Sequence, residues 1–386
     1  MTKASDVLRF PRLEIPENVK QLRLEVREFV REEISSGRVK PTIDSWLSGY
    51  DPDFSRKLGT KSWLGMTLPE SVGGHGKTML ERFVVQEELL AAGAPVSAHW
   101  IADRQTAPLL TACGNDTIKD TFLPGIINGE IYFAIGLSEP DAGSDLAAVR
   151  TQATRTSGGW LLNGTKIWSS GAHHCQAMVV LCRTSPADGR NRHVGLSQLI
   201  VKLDQPGVTV RPIHLLTGAH HFNEVVFDNV EVSDDMLLGS EGEGWAQVMS
   251  ELALERSGAE RFLSTFPLFV QLVERAKGCD DLRVSQAIGQ LTARLYALHN
   301  MSLRVVSMIS RGEPANVEAV LIKDIGTRFE RILTETARLV MPPTDDGNDE
   351  YSQFMRQAVL HSPGFTLRGG TNEILRGMVA RGLGLR

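Results

Sequence analysis

Three short segments contain the residue types that can bind a ligand or take part in catalysis. The first covers residues 133–146 (FAIGLSEPDAGSDL) and leads from a predicted buried strand into a turn of small residues. Backbone amides near Leu137 and the hydroxyl groups of Ser138 and Ser144 can therefore approach a ligand closely. A plain β-turn with a serine cap accounts for the same residues equally well.

The second segment covers residues 163–171 (NGTKIWSSG). Asn163–Gly164 predicts a tight hairpin, after which Trp168 and Ser170 follow on the outgoing strand. The indole of Trp168 could form one wall of a cofactor site, although a tryptophan in such a strand more often belongs to the core.

The third segment covers residues 368–376 (RGGTNEILR). Gly369, Gly370 and Thr371 precede a predicted helix, so their amides lie at the positive end of the helix dipole. That arrangement suits an anion such as pyrophosphate. The simpler interpretation is a loop in which Thr371 caps the helix. None of the three segments is a Rossmann or P-loop fingerprint.

The elements that must position these segments change twice along the chain. Up to residue 130, apolar residues recur at helical spacing, for example over residues 18–34 and 79–93. Between residues 131 and 233, short segments rich in Val, Ile, Leu and Trp alternate with turn signals, which indicates an antiparallel barrel or sandwich. After Gly239 the helical period returns. The sequence therefore predicts an α+β protein with helices, then a small β domain, then a helical bundle.

Composition argues against several classes of function. The chain has 386 residues, a net charge of −5 and no basic run, so nucleic acid and anionic membranes are poor candidates as partners. Its 4 cysteines are scattered without a CxxC pair, which argues against a zinc site and favours reduced thiols. Neither a signal peptide nor a membrane-spanning stretch is visible. We therefore expect a soluble, cytoplasmic protein that holds no metal.

In this order the three segments closely resemble the acyl-CoA dehydrogenase family, whose (T/S)EPxAGSD turn, KxW(I/S)(T/S) strand and C-terminal GTxx(I)xR helix surround a flavin. The resemblance extends to residues 65–74 (GMTLPESVGG) and 223–232 (NEVVFDNVEV), and so covers nearly the whole chain. It implies an N-terminal α-helical domain (residues 1–130), a middle antiparallel β-barrel domain (131–238) and a C-terminal four-helix bundle (239–386).

The resemblance also assigns residues to an FAD site. Leu137 and Ser138 would contact the isoalloxazine, while Trp168 and Ser170 would line its other side. Ser144 would contact the cofactor or CoA, and Thr371 and Glu373 on the C-terminal helix would lie near the flavin. Arg275 matches an arginine that contacts the FAD pyrophosphate of a neighbouring subunit. On the substrate side the resemblance implies Ser144, Arg256, Gly369 and Gly370.

The catalytic base departs from the commonest family pattern. Many members place a glutamate immediately before the Gly-Thr of the C-terminal motif, where this chain has Gly369. A second family solution uses a glutamate in an LxLER context, and residues 249–256 (MSELALER) match it, so we expect Glu255 to be the base. Glu255 could instead be a surface glutamate of the helix. Glu251, one turn earlier, is the reserve candidate.

Two further departures affect the flavin site. The aromatic residue of the RxxFG pattern is missing from residues 275–279 (RAKGC), and residues 338–343 (RLVMPP) replace the QxxGGxG loop. These losses resemble bacterial dehydrogenases that act on CoA thioesters of steroids or other bulky side chains, some of which are heteromers with an incomplete FAD site.

Three hypotheses follow from the resemblance. The leading one is an FAD-dependent acyl-CoA dehydrogenase that passes electrons to an electron-transfer flavoprotein. The second is an oxidase or monooxygenase of the same fold, with O2 as acceptor. The third is a partner subunit of a heteromeric dehydrogenase. The resemblance implies an oligomer, either a homo- or hetero-dimer or tetramer.

Overall fold

The computed structural model describes residues 14–187, 191–255, 258–344 and 347–385, and within 251–255 it describes the backbone alone. The chain folds as two units. The helical unit comprises Met1–Gly49, Thr78–Val96 and Ala253–Arg386. The sheet unit comprises Tyr50–Lys77 and Ser97–Leu252.

Helices make up most of the chain on both sides of the strands. A π-helical turn, Ala102–Thr106, joins two of them, and short 3-10 turns include Ala172–His174 and Ala259–Arg261. The helices are α1 (Glu17–Ser35), α2 (Ser45–Ser48), α3 (Pro52–Thr60), α4 (Met79–Ala91), α5 (Ser97–Ile101), α6 (Ala107–Cys113), α7 (Asp116–Ile127), α8 (Gly244–Glu255), α9 (Phe266–Arg275), α10 (Leu282–Ser310), α11 (Asn316–Val340), α12 (Glu350–Phe365) and α13 (Asn372–Gly382).

Several helices begin where the sequence supplies a capping side chain. At the start of α4, Thr78 Oγ1 accepts from the Glu81 amide at 3.2 Å and Glu81 Oε2 accepts from the Thr78 amide at 2.8 Å. This reciprocal pair is a capping box, which satisfies two amides that the helix itself leaves unpaired. Asn115 and Asp349 cap α7 and α12 in the simpler way.

The sheet unit contains one mixed sheet. Its strands are β1 (Phe133–Gly136), β2 (Gln152–Thr156), β3 (Gly159–Ser170), β4 (Ala177–Arg183), β5 (Leu196–Lys202), β6 (Val208–His214), β7 (His220–Ser233) and β8 (Leu237–Leu238). Their order in the sheet is β6-β7-β3-β2-β4-β5-β8, with β1 beside β4. Most pairs are antiparallel, but β1 and β2 both run parallel to β4.

This architecture confirms the predicted fold class of helices, a central sheet and further helices. Over the described residues the sheet is open rather than closed into a barrel, because its path ends on β6 and on the two-residue strand β8. Strands β4 and β5 are almost wholly buried, and Trp160 of β3 and Phe227 of β7 belong to the same hydrophobic cluster as several of their residues.

The hairpin predicted at Asn163–Gly164 is wrong. Both residues lie inside the continuous strand β3, where the pairing with β7 shifts register between Leu162 and Gly164. Asn163 Oδ1 accepts from the Asn229 amide on β7 at 2.8 Å. The Asn-Gly pair therefore makes a β-bulge, which requires the same unusual backbone freedom as a tight turn.

Gly164 has a backbone conformation that other residues adopt with strain. Its φ is +148°, and a Cβ at this position would lie 2.7 Å from the Thr151 Cα. We expect Gly164→Ala to lower the free energy of unfolding by about 2–4 kcal/mol, as measured by urea denaturation. Gly158→Ala is the matched control, because a Cβ there would meet nothing within 4 Å. Equal losses in the two variants would contradict this account of the bulge.

Candidate functional site

A buried ion pair anchors the turn that follows β1. Lys166 Nζ donates to Glu139 Oε1 at 2.8 Å and to the Leu137 carbonyl at 3.0 Å. Glu139 also accepts from the backbone amides of Arg150 and Thr151, at 2.7 and 2.9 Å. Because all of these partners are fixed, the turn that carries Leu137 and Ser138 is held rigidly against β3.

The charges of this pair depend on each other. Burial on its own would raise the pKa of Glu139, but the Lys166 ammonium and the hydrogen bonds to the carboxylate hold that pKa below its ordinary value. The side chain of Lys166 is completely buried. Removal of either partner would leave the other charge without compensation in the protein interior.

Trp168 lies beside this turn in an unusual conformation. The Ile167 amide donates to the Ser138 carbonyl at 2.9 Å. This hydrogen bond brings the predicted flavin-site residues Ser138 and Trp168 close together in space. Trp168 has φ +62° at a second register shift of β3, and its side chain is 52% exposed. A large exposed side chain on a left-handed backbone is typical of functional sites. Its ring meets Phe222 edge-on at 5.8 Å.

The two predicted serine sites differ in exposure. Ser170 is half-buried and pairs with Phe222 across the β3–β7 ladder, so it is close to Trp168. Ser144 is exposed in the loop before the 3-10 turn Leu146–Ala148. Their contacts with cofactor or CoA stay predictions.

A cluster of imidazoles lies next to Ser170. The rings of His173 and His220 stack at 3.8 Å, and the His174 ring lies 3.9 Å from that of His173. The buried amide of Asn223 orders the cluster. Its Nδ2 donates to the Ser169 carbonyl at 2.9 Å and contacts His173 Nδ1 at 3.1 Å, while its Oδ1 contacts His220 Nε2 at 2.7 Å.

These hydrogen bonds fix which ring nitrogens carry protons. Because Nδ2 of Asn223 is a donor, Nδ1 of His173 must accept, and because Oδ1 is an acceptor, Nε2 of His220 must donate. Burial and the neighbouring imidazoles lower the pKa of His173 to about 4. The imidazole of His173 is therefore neutral at physiological pH.

The Gly-Gly-Thr turn before α13 is held by a second buried lysine. Lys323 Nζ donates to the Gly370 carbonyl at 2.6 Å and to Asn372 Oδ1 at 2.8 Å. Gly369 and Gly370 have φ +66° and +85°. Thr371 caps α13 by accepting from the Ile374 amide at 3.4 Å, as the simpler interpretation of this segment predicts. Glu373 is exposed in the first turn of the helix.

The position of the commonest family base is closed in this chain. A Cβ on Gly369 would lie 2.9 Å from Arg261 Nη1 and 3.2 Å from its Cζ. Arg261 is fully buried, with its Nε 3.1 Å from Glu260 Oε1 and its guanidinium over the Trp46 ring. A carboxylate at residue 369 would therefore meet a guanidinium, which favours the ionised form but makes a poor general base.

Arg275 has a partner within the chain. Its Nη1 lies 3.2 Å from Asp349 Oδ1, and its guanidinium is over the Tyr351 ring at 5.0 Å. Asp349 also accepts from the Ser352 amide at 3.0 Å as the cap of α12. The predicted contact of Arg275 with an FAD pyrophosphate stays a prediction, and it would compete with this ion pair.

The predicted base lies at the edge of the described residues. Glu255 is the last residue of α8, whereas the periodicity predicts a single helix over residues 244–276. The side chains of Glu255 and Glu251 lie outside the described side chains. Arg256 lies outside the described residues altogether. Their predicted roles remain untested.

Sequence reasoning missed the groups that support the site. Glu139 and Lys166 stand inside the quoted motifs, but nothing in either motif signals that they pair with each other. Lys323 and Asn223 lie far along the chain from the loops that they hold, and no spacing rule connects them. Lys323 lies on a buried side of α11 that also carries Asp324, Thr327 and Glu330, so its polarity alone did not single it out.

Two searches of the described residues gave negative results. Across the four described ranges, no group of three or more His, Cys, Asp or Glu side chains could hold a metal ion. In the same part of the chain no helix is both long and apolar enough to cross a membrane.

The sequence matches three family models in consecutive order. They are described as the acyl-CoA dehydrogenase N-terminal domain over residues 16–130, the middle domain over 134–230 and the C-terminal domain over 242–384. Together these matches cover most of the chain.

Individual relatives match over most of their own length. Acyl-CoA dehydrogenase FadE29 of Mycobacterium tuberculosis is 32% identical over 377 residues, covering 94% of this chain and 95% of the relative. Acyl-CoA dehydrogenase IpdE1 of the same species is 34% identical over 342 residues, covering 86% and 87%. Among solved structures, the Tcur3481-Tcur3483 steroid ACAD has a TM-score of 0.84 at 27% identity, covering 97% of this chain and 99% of that one.

Removal of the buried ammonium tests the anchor of the β1 turn. We expect Lys166→Met to lower the free energy of unfolding by about 3–5 kcal/mol, because it leaves Glu139 buried and unpaired. The double variant Lys166→Met with Glu139→Gln should lose less stability than Lys166→Met alone. Arg192→Met is the control, because Arg192 pairs with Asp145 on the surface, and it should lower the free energy of unfolding by under about 1 kcal/mol. Urea denaturation measures all three. A double variant that is as unstable as the sum of the single ones would contradict the coupling.

Proposed function

Because the chain belongs to the acyl-CoA dehydrogenase family, we propose that it binds FAD and removes two hydrogens from neighbouring carbons of an acyl-CoA thioester. It is an acyl-CoA dehydrogenase, and hence an oxidoreductase. The observation that carries the proposal is the match of all three family models, in order, over residues that include the three segments with binding chemistry.

The described residues of the sheet unit suit a flavin. Leu137 and Ser138 are held by Lys166 and Ile167, and the exposed indole of Trp168 would form a wall of the ring site. When bound, FAD supplies an acceptor for two electrons. From the helical unit we assign Thr371 and Glu373 to the cofactor, and we assign the amides of Gly369 and Gly370 to the substrate side together with Arg256 and Ser144.

If this chain carries out the reaction itself, one of its residues takes the proton. We assign Glu255 as the base that takes it from the carbon beside the thioester carbonyl, with Glu251 as the alternative. The surroundings of Gly369 support this assignment. That position has no carboxyl group, and a Cβ there would lie 2.9 Å from the Arg261 guanidinium. A catalytic chain would therefore need its base at another position.

A specific observation favours a second candidate, a subunit of a heteromer. Arg275 is paired with Asp349, and no glycine-rich loop follows α11 in the described residues up to Thr344. Both features would weaken a contribution to the FAD of a neighbouring subunit. Two similar solved structures are named as pairs of proteins, Tcur3481-Tcur3483 and the ChsE4-ChsE5 complex, the latter at a TM-score of 0.80 and 26% identity.

The finer features of the proposal rest on resemblance. We propose a steroid or other bulky acyl group, an electron-transfer flavoprotein as acceptor, an oligomer, a cytoplasmic location and domain boundaries at residues 130 and 238. The relative named as a steroid enzyme supports the acyl group. A screen of short, branched, aromatic and steroid CoA thioesters for flavin bleaching would identify the substrate class.

Glu255→Gln tests the base. We expect the variant to keep its FAD but to lose flavin bleaching by substrate, with a fall in rate of about 100-fold to 10,000-fold, because proton abstraction loses its acceptor. Glu251→Gln is the matched control and should bleach at nearly the normal rate. The reverse pattern would assign the base to Glu251.

Assays with ferrocenium as electron acceptor in the absence of oxygen should sustain turnover. Dominant peroxide formation in air would support an oxidase instead.

Trp168→Ala tests the flavin wall. We expect it to lower the FAD content of the purified protein several-fold, because it removes the ring surface against which the cofactor would pack, whereas Trp168→Phe should keep most of the FAD. Flavin absorbance per chain measures the effect. Unchanged FAD content in Trp168→Ala would refute the placement. A parent protein that stays colourless after incubation with FAD would favour the heteromer subunit.

A further inference from the structure

A cavity of about 780 Å³ lies within the helical unit. This volume falls in the range of pockets that enclose small organic ligands. The cavity is bounded by α1, the C-terminal half of α4, the segment of residues 262–266 and the middle of α10. None of the residues assigned above to flavin or thioester lines it.

The floor of the cavity is apolar. The partly exposed apolar side chains of the lining are Ile34, Ala91, Phe266 and Leu295, and the buried residues Val30, Phe262 and Leu263 complete it. Aliphatic and aromatic side chains of this kind favour an alkyl chain or a fused ring system over a polar ligand.

The opposite side carries a network of charges that is already paired. Arg23 Nη1 lies 2.7 Å from Glu87 Oε2 and 2.8 Å from Glu88 Oε1, and Arg27 Nε lies 2.9 Å from Glu88 Oε2. His299 contacts Glu87 as well. Both carboxylates, which are only 8% exposed, are therefore compensated by cations.

Arg31 is the exchangeable cation of the lining. Its side chain is 64% exposed, and it pairs with Glu28, which is 57% exposed and lies outside the cavity. An exposed pair of this kind contributes about 0–1 kcal/mol, so a ligand anion can replace Glu28 at small cost. Three arginines and two glutamates line the cavity, and the lining is thus positive when His299 is neutral.

We propose that this cavity is a binding site for an amphipathic monoanion, a free carboxylic acid with an apolar chain or ring system. The apolar body would lie on the floor formed by Ile34, Phe266 and Leu295, and the carboxylate would reach Arg31. A CoA thioester fits less well, because its phosphates bring several negative charges to a lining with a small positive excess. None of the residues assigned to the thioester lines this site.

Calorimetric titration of the full-length protein with decanoate, decanol and decylammonium tests the site. Decanoate and decylammonium are kept below their micelle concentrations, and decanol is kept below its solubility limit. We expect decanoate to bind at one site per chain and more tightly than the other two. Ala91→Phe, which fills the cavity from the end of α4, should abolish binding. Ala297→Phe is the matched control, because this exposed residue of α10 is outside the lining.

Charge variants keep the test informative if Ala91→Phe fails to fold. Arg31→Gln should weaken decanoate binding about threefold, as expected for one half-exposed charge, and should leave decanol unaffected. Arg294→Gln, on the exposed side of α10, should change neither. Equal affinity for decanol, a loss in Ala297→Phe, competition by the substrate thioester, or absence of binding would each overturn the proposal. Sedimentation measures self-association of the parent and of Ala91→Phe. A parent that self-associates and an Ala91→Phe variant that does not would also overturn the proposal.

Discussion

Two buried lysines fix the backbone where the candidate site lies. Lys166 donates to the Leu137 carbonyl at 3.0 Å and Lys323 donates to the Gly370 carbonyl at 2.6 Å, and neither side chain is exposed to solvent. A carbonyl that leaves the regular hydrogen-bond pattern of a strand or helix loses its backbone donor. A buried ammonium group can donate to it instead, and this costs the free energy of removing the ammonium group from water. Both loops can therefore depart from regular structure without leaving a buried oxygen unpaired.

The second of these loops bears on the absence of a glutamate at residue 369. With Gly370 held by Lys323 and two successive residues at positive φ, the turn brings Gly369 against the Arg261 guanidinium. A Cβ at this point would lie 2.9 Å from Arg261 Nη1, so the guanidinium would have to shift, and an acid placed there would be held in its ionised form by the arginine. The absence of a glutamate before Gly-Thr is thus coupled to the presence of Arg261, so a single substitution at residue 369 would not restore the commoner arrangement.

The order of helices and strands could be predicted from periodicity, because apolar spacing reports directly which faces are buried. Trp168 and Ser170 are assigned to the site by motif alone, and these assignments stay predictions. The hydrogen bond of the Ile167 amide to the Ser138 carbonyl does bring the neighbouring Trp168 close to Ser138. Three features could not be predicted. Asn163–Gly164 serves a bulge as readily as a hairpin, the pairing of Glu139 with Lys166 depends on strand register, and the partner of Arg275 lies 74 residues away. Each depends on contacts that local sequence does not encode.

The departures from regular backbone bear on the flavin assignment independently of similarity. Trp168 holds a left-handed conformation that costs a non-glycine residue about 1–2 kcal/mol, and the amide of Asn223 compensates by bonding the adjacent Ser169 carbonyl at 2.9 Å. Gly369 and Gly370 form the other irregular turn. A fold retains such strain where the surrounding contacts enforce it, and strain concentrates at binding sites. Both irregular segments are those in which the family motifs place the cofactor, and this agreement between backbone geometry and motif position supports an FAD site in this chain.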